Sequence, residues 1–190
     1  DLVNTYIKEA DAAAIIYTND KSYADGDLLK RMMDLLDACN TPLSNKQQCA
    51  ASLHGSLRPE VKGYLMDWFT GCFVDDEDLG DLRILTATSA ANCGLNNKKL
   101  KLCIYMGFPE CMCSLLQTLG RPGRVPLAQE EDDDVPPLPY KYIIIMSIVH
   151  LVFLVTRIHR SSSSSTLMED LFEVLKFLLL PTQCFQQHLR

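Results

Sequence analysis

Residues 117–124 read Gln-Thr-Leu-Gly-Arg-Pro-Gly-Arg. Leucines at helical spacing lead into this run, and Gly120 sits where a helix would stop. Arg121 and Arg124 then stand three residues apart in a tight loop, where planar guanidinium groups can fork onto phosphate oxygens. Taken alone, a surface turn with two solvated arginines has the same sequence. Three other stretches join it, each at the end of an apolar run. They are Ile15-Ile16-Tyr17-Thr18-Asn19, Leu53-His54-Gly55-Ser56-Leu57, and the stretch from Ala87-Thr88 to Gly94-Leu95-Asn96.

The elements that must position these residues alternate in kind. Short apolar runs at 13–18, 50–54, 82–88 and 100–106 read as strands buried on both faces. Between them the apolar spacing turns helical. Leu28, Leu29, Met32, Leu35 and Leu36 form one face of a helix starting at Asp25, and Val61, Leu65, Trp68 and Phe69 form another, opened by Pro59 and stopped by Gly71. Pro109 is expected to open a third helix through Leu115, Leu116 and Leu119. Strands alternating with such helices make crossover units, so the fold class is α/β with a parallel sheet flanked by helices. Ligands of such sheets bind beyond the carboxyl ends of the strands. The loops after Thr18, His54, Thr88 and Met106 therefore form the expected ligand edge.

The order of the four stretches resembles the C-terminal RecA-like lobe of superfamily-two helicases, the RecQ branch in particular, over about residues 11 to 125. That family shows a strand ending in an aromatic and a small polar residue, then His-x-Gly or His-Gly, then Ala-Thr…Gly-Ile-Asn, then Gln-x-x-Gly-Arg-x-Gly-Arg. The segment Ile104-Tyr105-Met106-Gly107-Phe108-Pro109 is similar to the family's strand-to-helix joint. The resemblance implies a P-loop NTPase-like second lobe of an ATP-dependent DNA helicase with 3′-to-5′ polarity. It implies that Arg124 and Arg121 reach the γ-phosphate of ATP held by a first lobe, and that Gln117 couples that site to the lobe's position. His54, Gly55 and Thr88 would contact the phosphate backbone of DNA, with Gly94 allowing close approach. Pro122, Asn92-Cys93 and Val125-Pro126 depart from the family pattern. No Gly-x-x-x-x-Gly-Lys-Ser/Thr loop occurs in the chain. ATP and Mg²⁺ are therefore expected to be held mainly by an absent first lobe, and the chain alone should not hydrolyse ATP. A non-catalytic relic that binds nucleic acid or protein is the alternative.

Composition bounds these readings. A net charge of −6 and a pI of about 5.2 exclude a protein that coats nucleic acid by charge alone, so any contact must be local. The 190 residues divide into a lobe (1–126), a proline-rich acidic linker (127–139) and an extension (140–190). In the extension, 142–156 is uncharged but short for a membrane span, for which about 20 residues are wanted. Its β-branched opening suits a final strand and the remainder a helix packed on the lobe. Five serines at 161–165 read as a flexible spacer, followed by an amphipathic helix over 168–180. The eight cysteines and the lack of a signal-peptide pattern point to reduced thiols in the nucleus or cytoplasm. Cys184 and His188 are spaced like half a zinc site whose other half is not in the chain, so no metal ligand set is assigned.

Overall fold

The computed structural model describes residues 12–38, 50–72, 82–92, 95–109, 111–121, 140–160 and 164–179. Five parallel strands form one sheet: β1 (Ala13–Thr18), β2 (Ala50–Leu53), β3 (Ile84–Ala87), β4 (Leu100–Met106) and β5 (Lys141–Ile145), in the order β2-β3-β1-β4-β5. Central β1 is buried at every residue. Because strand side chains alternate between faces, Ile15 and Tyr17 enter one core with Leu53, Leu85, Cys103 and Phe69. Ala14 and Ile16 enter the other, with Leu28, Met32, Ile84 and Leu102. An apolar run without polar interruption is what such a strand requires.

The helices start and stop at identifiable chemistry. The first helical stretch, α1, runs through Lys21–Tyr23, a π turn at Ala24–Leu28, and Leu29–Ala38. It begins four residues before Asp25 because the Asp20 carboxylate accepts the Ser22 and Tyr23 amides at 2.8 and 3.3 Å. Helix α2 (Pro59–Phe69) has proline in its first turn and yields to Gly71 at φ 81°, a left-handed backbone that glycine adopts freely. Helix α3 (Met112–Leu119) begins later than Pro109, since the Cys111 sulfur accepts the Ser114 amide.

The extension is part of the lobe. Strand β5 pairs with β4 from Leu102↔Lys141 to Met106↔Ile145. Helix α4 (Ile148–His159) and helix α5 (Ser164–Leu179) pack with α3 around Phe108, Leu115, Leu154, Ile158, Leu171 and Val174. Ser164 and Ser165 lie inside α5, so the serine run is not a spacer throughout; at a helix start serine costs little. Among the described residues, no helix is long and apolar enough to cross a membrane.

Candidate functional site

Parallel strands put all five carboxyl ends on one rim. Register aligns Leu53 with Ala87 and Ala87 with Tyr17, so His54, Thr88 and Thr18 follow three adjacent strand tips. Neighbouring strands lie about 4.8 Å apart, so these tips span about 10 Å. The Thr88 amide donates to the Leu53 carbonyl at 3.0 Å and fixes the first two tips together. Thr18 is buried, and its hydroxyl accepts the Asp20 amide at 3.3 Å. Asn19 joins two further loops: it accepts the Tyr105 hydroxyl at 2.6 Å and donates to the Phe108 carbonyl at 2.7 Å. Gly107 between those residues has φ 120°, which a side chain would strain.

A cleft opens on this rim among the described residues. It holds about 350 Å³ and is lined by Lys21, Ser22, Asp25, Gly26, His54 and Ser56. The start of α1 crosses above β3, where the Thr86 hydroxyl donates to the Ala24 carbonyl at 2.8 Å, and so reaches the tip of β2. His54 is 8 % exposed, and neither ring nitrogen has a hydrogen-bond partner among the described residues. Asp25 Oδ2 stands 3.7 Å from its Nε2. Lys21 Nζ donates to the Ser56 hydroxyl at 3.0 Å, and Lys62 Nζ donates to the Gly55 carbonyl at 2.7 Å, holding the loop after β2. Gly55 is exposed, and a Cβ there would meet nothing within 4 Å. Lys21, Ser22 and Ser56 were not among the sequence candidates, although a basic residue directly after the N-cap of a rim helix is a readable signal.

The arginine loop departs from expectation at Arg121. An outward pair of guanidinium groups was expected; Arg121 is instead turned into the lobe, 7 % exposed, with Nη1 donating to the Leu95 carbonyl at 2.7 Å. The physical reason is local: its backbone amide still bonds the Thr118 carbonyl at 3.2 Å, so the chain leaves α3 with this side chain over the sheet. Gln117 is exposed on α3, with Nε2 3.7 Å from the Cys113 sulfur. Arg124 and Gly94, together with Cys184 and His188, lie outside the described residues.

Beneath Arg121 is a buried set of ionisable groups. Burial pushes the Tyr17 and Tyr142 phenols and the Cys103 thiol well above their ordinary range, while the Arg121 guanidinium pulls Tyr17 and Cys103 part of the way back. The Tyr142 hydroxyl lies 2.8 Å from that of Thr118, tying β5 to α3. The unfolded chain ionises these groups near their ordinary values of 9.0 and 10.0, while the folded lobe keeps the protons. Their contribution is therefore complete below about pH 9 and is lost progressively as the pH rises. Urea unfolding from neutral pH to about pH 11 should show falling stability above about pH 9; a flat profile there would contradict this burial.

No three His, Cys, Asp or Glu side chains among the described residues group to hold a metal ion. The resolved residues likewise contain no glycine-rich phosphate cradle, and Arg121 is engaged elsewhere.

Comparison with known proteins agrees with the architecture. The chain is similar to a Mycobacterium smegmatis helicase, Lhr, solved with single-stranded DNA and AMP-PNP, at 19 % identity and TM-score 0.52, covering 86 % of this chain and 18 % of that one. It is similar to the helicase MrfA, solved with DNA and AMPPNP, at 16 % identity and TM-score 0.55, covering 83 % of this chain and 19 % of that one. Domain 2 of the DEAD-box helicase Mss116p, solved with an RNA duplex, gives 13 % identity and TM-score 0.51, covering 91 % of this chain and 61 % of that one. The chain thus spans about a fifth of the length of the first two. No curated protein matches. Residues 1–126 match the helicase conserved C-terminal domain, and the chain belongs to that family.

Proposed function

We propose that this chain is the second motor lobe of an ATP-dependent superfamily-two DNA helicase and that it grips the sugar–phosphate backbone in the cleft between Lys21 and His54. The observation carrying this reading is the buried imidazole of His54, with neither nitrogen hydrogen-bonded among the described residues and Asp25 3.7 Å from Nε2, at the wall of a cleft that also holds an ammonium and two serine hydroxyls. A buried polar atom without a partner costs about 1–3 kcal/mol. A phosphate oxygen entering the cleft would accept from the imidazole N–H, the Lys21 ammonium and the Ser22 and Ser56 hydroxyls. Asp25 would keep the ring oriented from its 3.7 Å separation. Thr88, one strand tip away, would meet the next part of the strand.

Local donors are what an acidic protein needs, since its overall field repels nucleic acid. The solved relatives were captured with single-stranded DNA, DNA and an RNA duplex, which supports a nucleic-acid strand as ligand. The finer RecQ-type assignment, with 3′-to-5′ travel, rests on the order of the four loop sequences. In this reading Arg124 faces the transferring phosphoryl group held by a first lobe, and closure of the two lobes advances the strand.

Binding of labelled single-stranded DNA, titrated with salt, tests the cleft. Lys21→Ala should weaken binding about three- to tenfold and lower the salt slope by about one. His54→Ala should weaken it comparably. Unchanged affinity and slope in both variants would remove the cleft from the interface. One observation favours a second reading, a non-catalytic binding module: the inward turn of Arg121 takes a cation away from the nucleotide side. That reading keeps the strand affinity and predicts no ATP turnover with any first lobe.

A further inference from the structure

We infer that Arg121 is a positioning residue, which locks the loop after β3 to the end of α3 from inside the lobe and does not touch nucleotide. This rests on the proposed strand-binding reading and adds to it the link between the two halves of the rim. Leu95 is 2 % exposed and lies in the connection between β3 and β4. Its carbonyl receives Arg121 Nη1 at 2.7 Å, a charge-assisted bond in a buried setting. Thr88 in turn bonds the Leu53 carbonyl at 3.0 Å, immediately before His54. The β3–β4 connection is therefore bonded at Thr88 to the Leu53 carbonyl, next to the cleft histidine, and at Leu95 to the first residue of the arginine loop. Burying a guanidinium is costly unless it is bonded, so the side chain holds this place through the contacts it makes there. A group that must cross to a nucleotide on another body needs exposure, which Arg121 lacks. Arg121 thus holds the loop from inside the lobe.

The test uses the full chain without nucleotide and measures affinity for a labelled single-stranded DNA by anisotropy. Arg121→Met fills similar volume without a donor and should weaken binding at least about tenfold, as expected for losing a charge-assisted hydrogen bond. Arg121→Lys restores one donor toward the Leu95 carbonyl and should recover most of that loss. Circular dichroism confirms that each variant is folded, and all measurements are made well below the melting transition. Wild-type affinity in Arg121→Met would overturn the inference, as would an Arg121→Lys no better than Arg121→Met. A salt slope lowered by about one in Arg121→Met would place the side chain on a phosphate and overturn it too. If Lys21→Ala and His54→Ala leave wild-type binding untouched, the strand-binding reading fails. If those variants weaken binding while Arg121→Met does not, only the present inference fails.

Discussion

Joined to a superfamily-two first lobe in one polypeptide, this chain is expected to support DNA-stimulated ATP hydrolysis that Arg124→Ala lowers by about 10³- to 10⁵-fold, the range seen when an arginine finger is lost. That range corresponds to roughly 4–7 kcal/mol of barrier. The size follows from charge: phosphoryl transfer spreads negative charge over equatorial oxygens, and a guanidinium brought there only when the lobes close stabilises the transition state selectively. Placed on the second lobe, it would make hydrolysis depend on closure. The unjoined chain has no phosphate loop and should show no turnover. Steady-state rates at saturating DNA, compared between wild-type and Arg124→Ala fusions, measure the effect. Equal rates would leave Arg124 without the role. Arg121→Met should behave differently, raising the DNA concentration needed for half-maximal stimulation, because its contact is with the Leu95 carbonyl.

Much of this arrangement was legible in the sequence, and what was not has physical causes. Strand β1 stood out because a central parallel strand is buried on both faces and so reads as an unbroken apolar run. Strand ends at Thr18, His54 and Thr88 could be ordered on one rim because parallel connections put all carboxyl ends together. The start of α1 was missed by four residues: its first turn carries no apolar periodicity, and the signal was the Asp20 cap. The cleft itself was not legible. Lys21 and His54 follow strands that are not neighbours, since β3 lies between β1 and β2. Only the path of α1 across β3, bonded at Thr86, brings Asp25 and Lys21 to the tip of β2. The direction of Arg121 was equally hidden. Spacing places two arginines in a loop, but the phase at which the chain leaves α3 decides that Arg121 turns inward.

The extension after the acidic linker carries a consequence for the site that a stability measurement can reach. Leu171 is 1 % exposed in the cluster formed by α3, α4 and α5, beside Leu115 and Val174. Leu171→Ala removes most of a buried side chain and leaves space that a helix interface only partly closes, at a cost of about 2–5 kcal/mol. For a domain of this size that is a fall of roughly 5–20 °C in melting temperature, out of a typical total stability of about 5–15 kcal/mol. If α5 is integral to the lobe, unfolding stays a single transition, shifted as a whole. Two separated transitions, or a shift under about 1 °C, would mean that α5 folds independently of the sheet. Function should follow, because α3 runs from this cluster to the arginine loop: Leu115 sits at 0 % exposure in the cluster, and the Thr118 carbonyl holds the Arg121 amide at 3.2 Å. Loosening α5 from α3 frees the end of the helix on which Arg121 depends. Loss of DNA-stimulated turnover in the joined protein should therefore appear in Leu171→Ala well below its melting temperature, with strand affinity reduced less than in Lys21→Ala, whose side chain lines the cleft itself.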